Sequence, residues 1–285
     1  MNHQFVPLKA GLYFVATPIG TARDITLRAL DILASADVIA AEDTRSLRRL
    51  LEIHGVPLKD RQVIAYHDHS GENVRNRLLQ YLEDGKSVAY ASEAGTPLIA
   101  DPGYHLAKAV SEAGHLVTSA PGPSAIVTAL SIAGLPTDAF FFVGFLPSAK
   151  SARRNGFEAV KDVPGTLVFY ESPKRLVQML EDAADVLGAT RDAVVCRELT
   201  KKFEEVRRGT LVELAASFAE TGVKGEIVVL VDRGQGDESS AEDIETALEK
   251  ALQSMTVRDA ADTVAKAFGV NKRKVYSLAL ELKGK

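Results

Sequence analysis

Residues 12–41 read LYFVATPIGTARDITLRALDILASADVIAA. Leu12–Ala16 is a compact apolar run, and Thr17-Pro18-Ile19-Gly20 ends it with two of the strongest turn-forming residues. Asp24–Ala36 then spaces Ile25, Leu27, Leu30, Ile32 and Leu33 as one face of a helix. Val38–Ala41 is the next short apolar run. Strand, turn, helix and strand at this spacing make one parallel βαβ unit.

The same unit repeats down the chain. Thr44–His54 is the next helix, followed by the strand and helix pairs Val63–Tyr66 with Glu72–Glu83, Val88–Ala91 with Tyr104–Ala113, and Leu116–Ala120 with Ser124–Ala133. Such alternation predicts an α/β fold with a mostly parallel N-terminal sheet covered on both faces. Phe140–Leu146 (FFFVGFL) is wholly apolar and Pro147–Asp162 is polar and basic, so a boundary is expected there, giving domains 1–146 and 147–234. The second α/β unit comprises Thr166–Tyr170, helix Leu176–Leu187, Ala193–Cys196, Val206–Leu211, helix Val212–Ala219 and Glu226–Val231. Gly234–Ser240 is a polar linker, and residues 240–285 carry helical patterns only.

That tail resembles a helix-turn-helix. Ser240 and Thr256, each followed three residues later by an aspartate, are N-cap signals; Gly269 stops one helix and Asn271 caps the next. From Lys266 to Lys285 six basic residues face one acid. Two readings stand: a small packing bundle with a solvated face, or a phosphate-contacting module with Lys272, Arg273 and Lys274 at a helix start.

The 285 residues carry 34 Lys+Arg against 38 Asp+Glu, a formal charge of −4, which excludes a uniformly basic nucleic-acid-coating protein. Hydrophobic residues at 46% and charged residues at 25% exclude global disorder. A single cysteine, Cys196, allows no internal disulfide and no cysteine-based zinc site, which suits a cytoplasmic protein. The start, MNHQFVPLKAGLYF, has no signal-peptide pattern. Leu116–Thr137 is uncharged, but Pro121, Gly122, Pro123, Gly134 and Pro136 make it strand, turn and short helix, not a membrane span.

Glycine and proline cluster at strand ends: Thr17–Gly20, Ser92–Pro97, Asp101-Pro102-Gly103 and Pro121–Ser124. In parallel sheets such loops form the ligand crevice, although any one of them is also an ordinary turn. No G-x-G-x-x-G follows the first strand and no P-loop occurs, which disfavours dehydrogenases and P-loop nucleotidases; the hydrolase elbow and zincin motifs are missing too. Acids and histidines share these ends: Glu42 and Asp43, His67-Asp68-His69, Glu93 and Glu171. His67 and His69 suit either a metal or a hydrogen-bonded capping loop, and with no third ligand evident no metal is expected. Glu42 and Asp43 suit either proton transfer or an ion pair with Arg45 and helix capping.

The ordered runs LYFVATPIG…DITLRAL, AAEDTR, YHDH, AGTPLIADPGY, PGPSA, GFLP, FYESPKRL and RELTKKFEE…RGT, over about residues 11–233, resemble the tetrapyrrole-methylase-like, class III S-adenosylmethionine-dependent family, in its branch that modifies small-subunit ribosomal RNA. The resemblance implies a homodimeric, two-domain enzyme that binds S-adenosylmethionine between its domains. It implies methyl transfer to the ribose 2′-hydroxyl of a cytidine in the decoding region of 16S rRNA, in contrast to tetrapyrrole substrates or a ligand-sensing regulator. Carried over, the cofactor loops fall on Thr17, Pro18, Ile19, Glu93, Gly95, Thr96, Pro97, Ser124 and Ala125, with Tyr170 opposite. Glu93 stands where the family usually has aspartate, one methylene shorter. Such a reaction needs in-line alignment and a proton acceptor, for which Asp43, Glu42 and His67 are the candidates. Lys150, Arg153, Arg154, Lys201, Lys202, Lys272, Arg273 and Lys274 are the candidate RNA contacts.

Overall fold

In a computed structural model describing residues 2–67, 70–234, 241–268, 270 and 272–283, the first apolar run is β1 (Gly11–Val15), buried throughout. There follow α1 (Leu27–Ser35), β2 (Val38–Ala41), α2 (Thr44–Ile53), β3 (Gln62–Ala65), α3 (Glu72–Glu83), β4 (Ser87–Ala91), α4 (Tyr104–Glu112), β5 (Val117–Ala120) and α5 (Ala125–Ala133). The strand order is β3-β2-β4-β1-β5 with every pair parallel, as the alternation predicts. Successive strand side chains point to opposite faces, which divides the core in two. Tyr13, Val15 and Ile39 pack against Leu30, Leu33, Leu47 and Leu51 on one face, and Leu12, Phe14 and Val38 against Leu78, Leu82, Leu106 and Val110 on the other. The uncharged stretch becomes β5 and α5, and among the described residues no helix is long and apolar enough to cross a membrane.

The second sheet is built from β6 (Phe140–Phe145), β7 (Thr166–Glu171), β8 (Asp192–Arg197), β9 (Glu205–Thr210) and β10 (Ile227–Val231), in the order β6-β7-β10-β8-β9. Only β6 and β7 are parallel. α6 (Lys150–Glu158), α7 (Leu176–Leu187) and α8 (Leu211–Thr221) complete this half. A shared core places Ile126, Ala129 and Leu130 of α5 against Val168, Val194, Val228 and Leu230. The boundary expected after Leu146 therefore needs correcting: β6 belongs to the second sheet, and residues up to 161 form one compact unit with 165–232.

Pro147–Asp162, expected as a polar connection, contains α6. Its buried face consists of one phenylalanine and one arginine, so no apolar period announces it. Phe157 meets Phe169 edge-on at 5.4 Å. Arg153, 3% exposed in its side chain, binds Asp182 with Nε at 2.8 Å and Nη2 at 2.6 Å. This corrects its assignment as an RNA contact, because a buried, carboxylate-bound guanidinium presents no free donor edge to a phosphate.

The second compact unit comprises residues 162–164 and 233–285. It holds α9 (Ala241–Leu252), α10 (Val257–Ala267) and α11 (Lys272–Lys283), packed through Leu248, Ala260, Ala261, Val264, Val275 and Ala279. Thr256 caps α10 by accepting from Asp259 N–H, as its spacing predicts. The caps expected from Ser240, Gly269 and Asn271 lie outside the described residues.

Candidate active site

Three glycine- and proline-bearing loops interlock at the carboxyl ends of β1, β4 and β5. Thr17 and Gly95 exchange backbone hydrogen bonds at 3.0 and 2.9 Å. The buried Thr17 hydroxyl donates to the Ser92 carbonyl at 3.2 Å, and Ser92 Oγ donates to the Gly95 carbonyl at 2.6 Å. Thr96 Oγ1 donates to the Pro123 carbonyl at 2.9 Å, tying in the third loop. Two glycines make this approach feasible. Gly95 sits at φ +82°, and a Cβ on Gly122 would lie 2.9 Å from that of Ala16.

The second half closes over these loops. Thr21 N–H donates to Thr200 Oγ1 at 3.1 Å, and the Thr21 hydroxyl donates to the Thr200 carbonyl. Between the halves lies a cavity of about 370 Å³. Ile19, Ala94 and Ala125 form one wall, and Phe145, Tyr170, Leu199 and Ile227 the other. Asp101, Glu171 and Glu226 add carboxylates to this mainly apolar lining. A recess of about 50 Å³ runs along Gly95, Thr96 and Ser124. Leu98 and Ala100 on one side, and Glu198 and Thr200 on the other, hold left-handed backbone at φ 72°, 59°, 51° and 63°. Strain of that kind gathers where a site is shaped for a ligand, at roughly 1–3 kcal/mol per residue.

Ile19, Gly95, Thr96, Ser124, Ala125 and Tyr170, all expected at the cofactor, thus line the cavity or its recess. Thr17 lies beneath and fastens the loops, while Pro18, Glu93 and Pro97 are on the loops but not among the lining residues. The three candidate proton acceptors stand outside the lining as well. Asp43 caps α2: its Oδ1 accepts from Arg45 N–H at 2.7 Å and Ser46 N–H at 3.3 Å. Those two backbone bonds, Arg45 first, hold its carboxyl below the usual range. Half-buried Glu42 accepts from Glu93 N–H at 3.4 Å through Oε2. His67 is exposed, with its N–H donating to Ser70 Oγ at 2.8 Å; Asp68 and His69 lie outside the described residues. Sequence reasoning missed Asp101 as a wall residue, although it quoted Asp101-Pro102-Gly103 as a turn, and it gave no role to Phe145, Leu199 or Glu226.

Burial, then the charges of Asp101 and Glu226, push the Tyr170 phenol up to about 12. It is therefore a neutral wall group at working pH. For the methyl transfer that the resemblance implies, Tyr170→Phe is expected to change the rate by a constant factor from about pH 6 to about pH 10, leaving the shape of the profile as in the parent. An inflection that vanishes in the variant would show a phenol titrating in that range.

The expected RNA contacts divide in two. Arg154 is bound by Asp185 at 2.5 Å, Lys201 bridges Glu198 and Glu226 at 2.9 and 2.8 Å, and Lys272 holds Asp262 at 2.6 Å. Lys202, Arg273 and Lys274 are exposed, as is Lys150, whose Nζ lies 3.9 Å from Asp182.

The family model of Tetrapyrrole (Corrin/Porphyrin) Methylases matches residues 11–215, and that of the RsmI C-terminal HTH domain matches residues 238–283. Ribosomal RNA small subunit methyltransferase I of Mesorhizobium japonicum is 46% identical over 278 residues, covering 97% of this chain and 94% of its own. The protein of the same name from Escherichia coli O157:H7 is 44% identical over 99% of both chains. A solved uroporphyrin-III C-methyl transferase of Thermus thermophilus, complexed with S-adenyl homocysteine, shares the fold with a TM-score of 0.52 at 19% identity, over 78% of this chain and 97% of that one. With the methylase model spanning most of the chain, the C-terminal model matching the helical unit and relatives over 40% identical across nearly the whole length, the chain is a methyltransferase that belongs to the tetrapyrrole methylase family, in its ribosomal RNA small subunit methyltransferase I branch.

Proposed function

We propose that the protein transfers the methyl group of S-adenosylmethionine to the ribose 2′-hydroxyl of a cytidine in the decoding region of 16S rRNA, within the small ribosomal subunit. The observation that carries this reading is the cavity between the two halves, whose loops approach one another closely at Gly95 and Gly122, joined to relatives named for that RNA at over 40% identity across nearly the whole chain. The lining fits the cofactor: apolar side chains for an adenine ring, loop backbone for its edges, and carboxylates for hydroxyl and ammonium groups. Gly95, Thr96, Ser124, Ala125, Ile19 and Tyr170 would hold it. When bound, S-adenosylmethionine supplies an electrophilic methyl on a sulfonium whose positive charge is lost on transfer.

The chain's own task is then to align the hydroxyl and take its proton. Asp43 is committed to capping α2, and a carboxyl held low is a weak acceptor. Asp101, on the cavity wall, is the acceptor in this reading, and Glu42 steadies the Glu93 loop. Asparagine caps a helix as well as aspartate does. Asp43→Asn is therefore expected to keep its rate within about threefold, whereas Asp101→Asn loses about 10²-fold or more in kcat. The reverse order would return the acceptor role to Asp43.

The same reading makes the enzyme cytoplasmic and homodimeric. Supporting the dimer, edge strand β6 leaves Phe140 and Phe141 47% and 46% exposed. The exposed cations Lys150, Lys202, Arg273 and Lys274 are its proposed phosphate contacts. The test is labelled S-adenosylmethionine with unmodified small subunits, free rRNA or a porphyrinoid. Label in cytidine ribose of the subunits is expected; label in the porphyrinoid alone, or in none of the three, overturns the proposal.

A further inference from the structure

β3 is the outer strand of the first sheet, and arginines from α2, from α3 and from the residue before the strand gather along it, which the acidic chain does not lead one to expect. An open groove of about 560 Å³ follows this strand, bordered by Arg48 of α2, Arg77 of α3 and Arg61, with no acid among its lining residues. Arg48 also borders a second groove of about 540 Å³ on the outer side of α2, together with Arg45 and Arg49. The only acid there is Glu52, already bound by Arg49 at 2.7 Å.

The arginines differ in how far they are committed. Arg61 is half-buried and spends its donors on the carbonyls of Leu33, Ala36, Pro57 and Leu58. Exposed Arg48 makes no hydrogen bond or ion pair with another described residue. Arg77 is exposed and, among the described residues, bonded to the neutral Gln62 and Tyr81 alone. Arg45, 92% exposed in its side chain, lies 3.8 Å from the Asp43 carboxylate, which already caps α2.

Direction matters as much as charge. α2 starts where β2 ends, beside Glu42 and the Glu93 loop, so Arg45 stands at the end nearest the candidate site and Arg48 one turn further along. Beyond Gln62, toward the amino ends of the strands, the surface becomes mixed, with Asp37 and Asp60 beside Lys59 and Lys86. The arginines therefore extend from the sheet edge to the α2 end nearest the site, where Arg45 is paired with Asp43 and Arg48 is without a partner among the described residues.

We propose that this groove, with Arg48, unpartnered among the described residues, and with Arg77, which neutral groups alone engage, binds the phosphate backbone of the RNA whose ribose is methylated. The inference rests on the rRNA reading above and names a contact surface for it. A guanidinium matches phosphate oxygens in a planar, two-point geometry, and several such contacts set register without reading bases. Edge strands also carry cations merely to prevent strand-to-strand association, and that is the competing role of these residues.

The experiment uses the full-length enzyme, with Arg48→Ala, Arg77→Ala and the double variant. Affinity for small-subunit rRNA is measured against salt, beside steady-state kinetics, S-adenosylmethionine affinity and sedimentation. The double variant is expected to raise KM for RNA about tenfold and to flatten the slope of log affinity against log salt by about 1 to 2. Cofactor affinity stays at the parent value. An unchanged slope and KM overturn the proposal, and if self-association rises at the same time the arginines only guard the edge. A parent enzyme that methylates no RNA refutes the function proposed above, while its salt slope for RNA binding still decides the groove.

Discussion

Gly95→Val is expected to weaken S-adenosylmethionine binding by about two orders of magnitude in a protein that still folds. Gly95 holds φ +82°, where a β-branched residue is strained by about 1–3 kcal/mol. Its new Cβ would lie 3.3 Å from Cγ2 of Ile19, a wall residue that is itself 92% buried by virtue of its 8% exposure. The backbone cannot rotate away, because Gly95 N–H and carbonyl are both bonded to Thr17. Strain is thus delivered to the loop and the wall together. Calorimetry with S-adenosylhomocysteine measures the loss, and a thermal melt shows that the fold remains. Parent affinity in folded Gly95→Val would mean that this loop does not shape the cofactor site.

Asp182→Ala should cost as much stability as truncating a large core side chain. Arg153 and Asp182 are each 3% exposed in their side chains, and Lys150 at 3.9 Å and Arg154 at 3.6 Å also face the same carboxylate. Removing it strands a buried guanidinium among two further cations. Breaking a buried pair on one side costs about 3–5 kcal/mol, and roughly 10 °C in Tm for a unit of this size. Replacing both partners by apolar residues, Arg153→Met with Asp182→Leu, should recover most of that loss. Affinity for rRNA should stay at the parent level in that double variant, since Arg153 serves the fold. A large drop in RNA affinity with stability intact would reverse this conclusion.

How far the sequence could be read depended on what each element buries. β1 to α5 were legible because their buried residues are mostly apolar and repeat with strand and helix periods, and the strand-end glycines followed from the same alternation. α6 escaped notice because half its buried face is Arg153, whose partner lies in α7, a pairing with no local signature. The second sheet's reach was misjudged for a similar reason: FFFVGFL announces a strand, but nothing in it says that β7 is the neighbour. At the site, loops were identifiable and walls were not. Asp101 and Leu199 become neighbours of one cavity only after both halves have folded. Asp43 could be read as acid or as cap, and two backbone bonds now favour the cap. Arg48 and Arg77 sit on helices whose apolar faces alone carried the pattern, so their shared groove was invisible.

The cavity draws its lining from Ile19 through to Val228, nearly the full span of the first compact unit. Neither sheet by itself can present the site, so any ligand it holds binds only chains in which both sheets are formed and joined. By mass action such a ligand stabilises the junction in proportion to the logarithm of its concentration over Kd. An abundant metabolite would thereby act as a molecular splint, making the two halves melt as one and sparing the loops between them from proteolysis whenever the donor is plentiful.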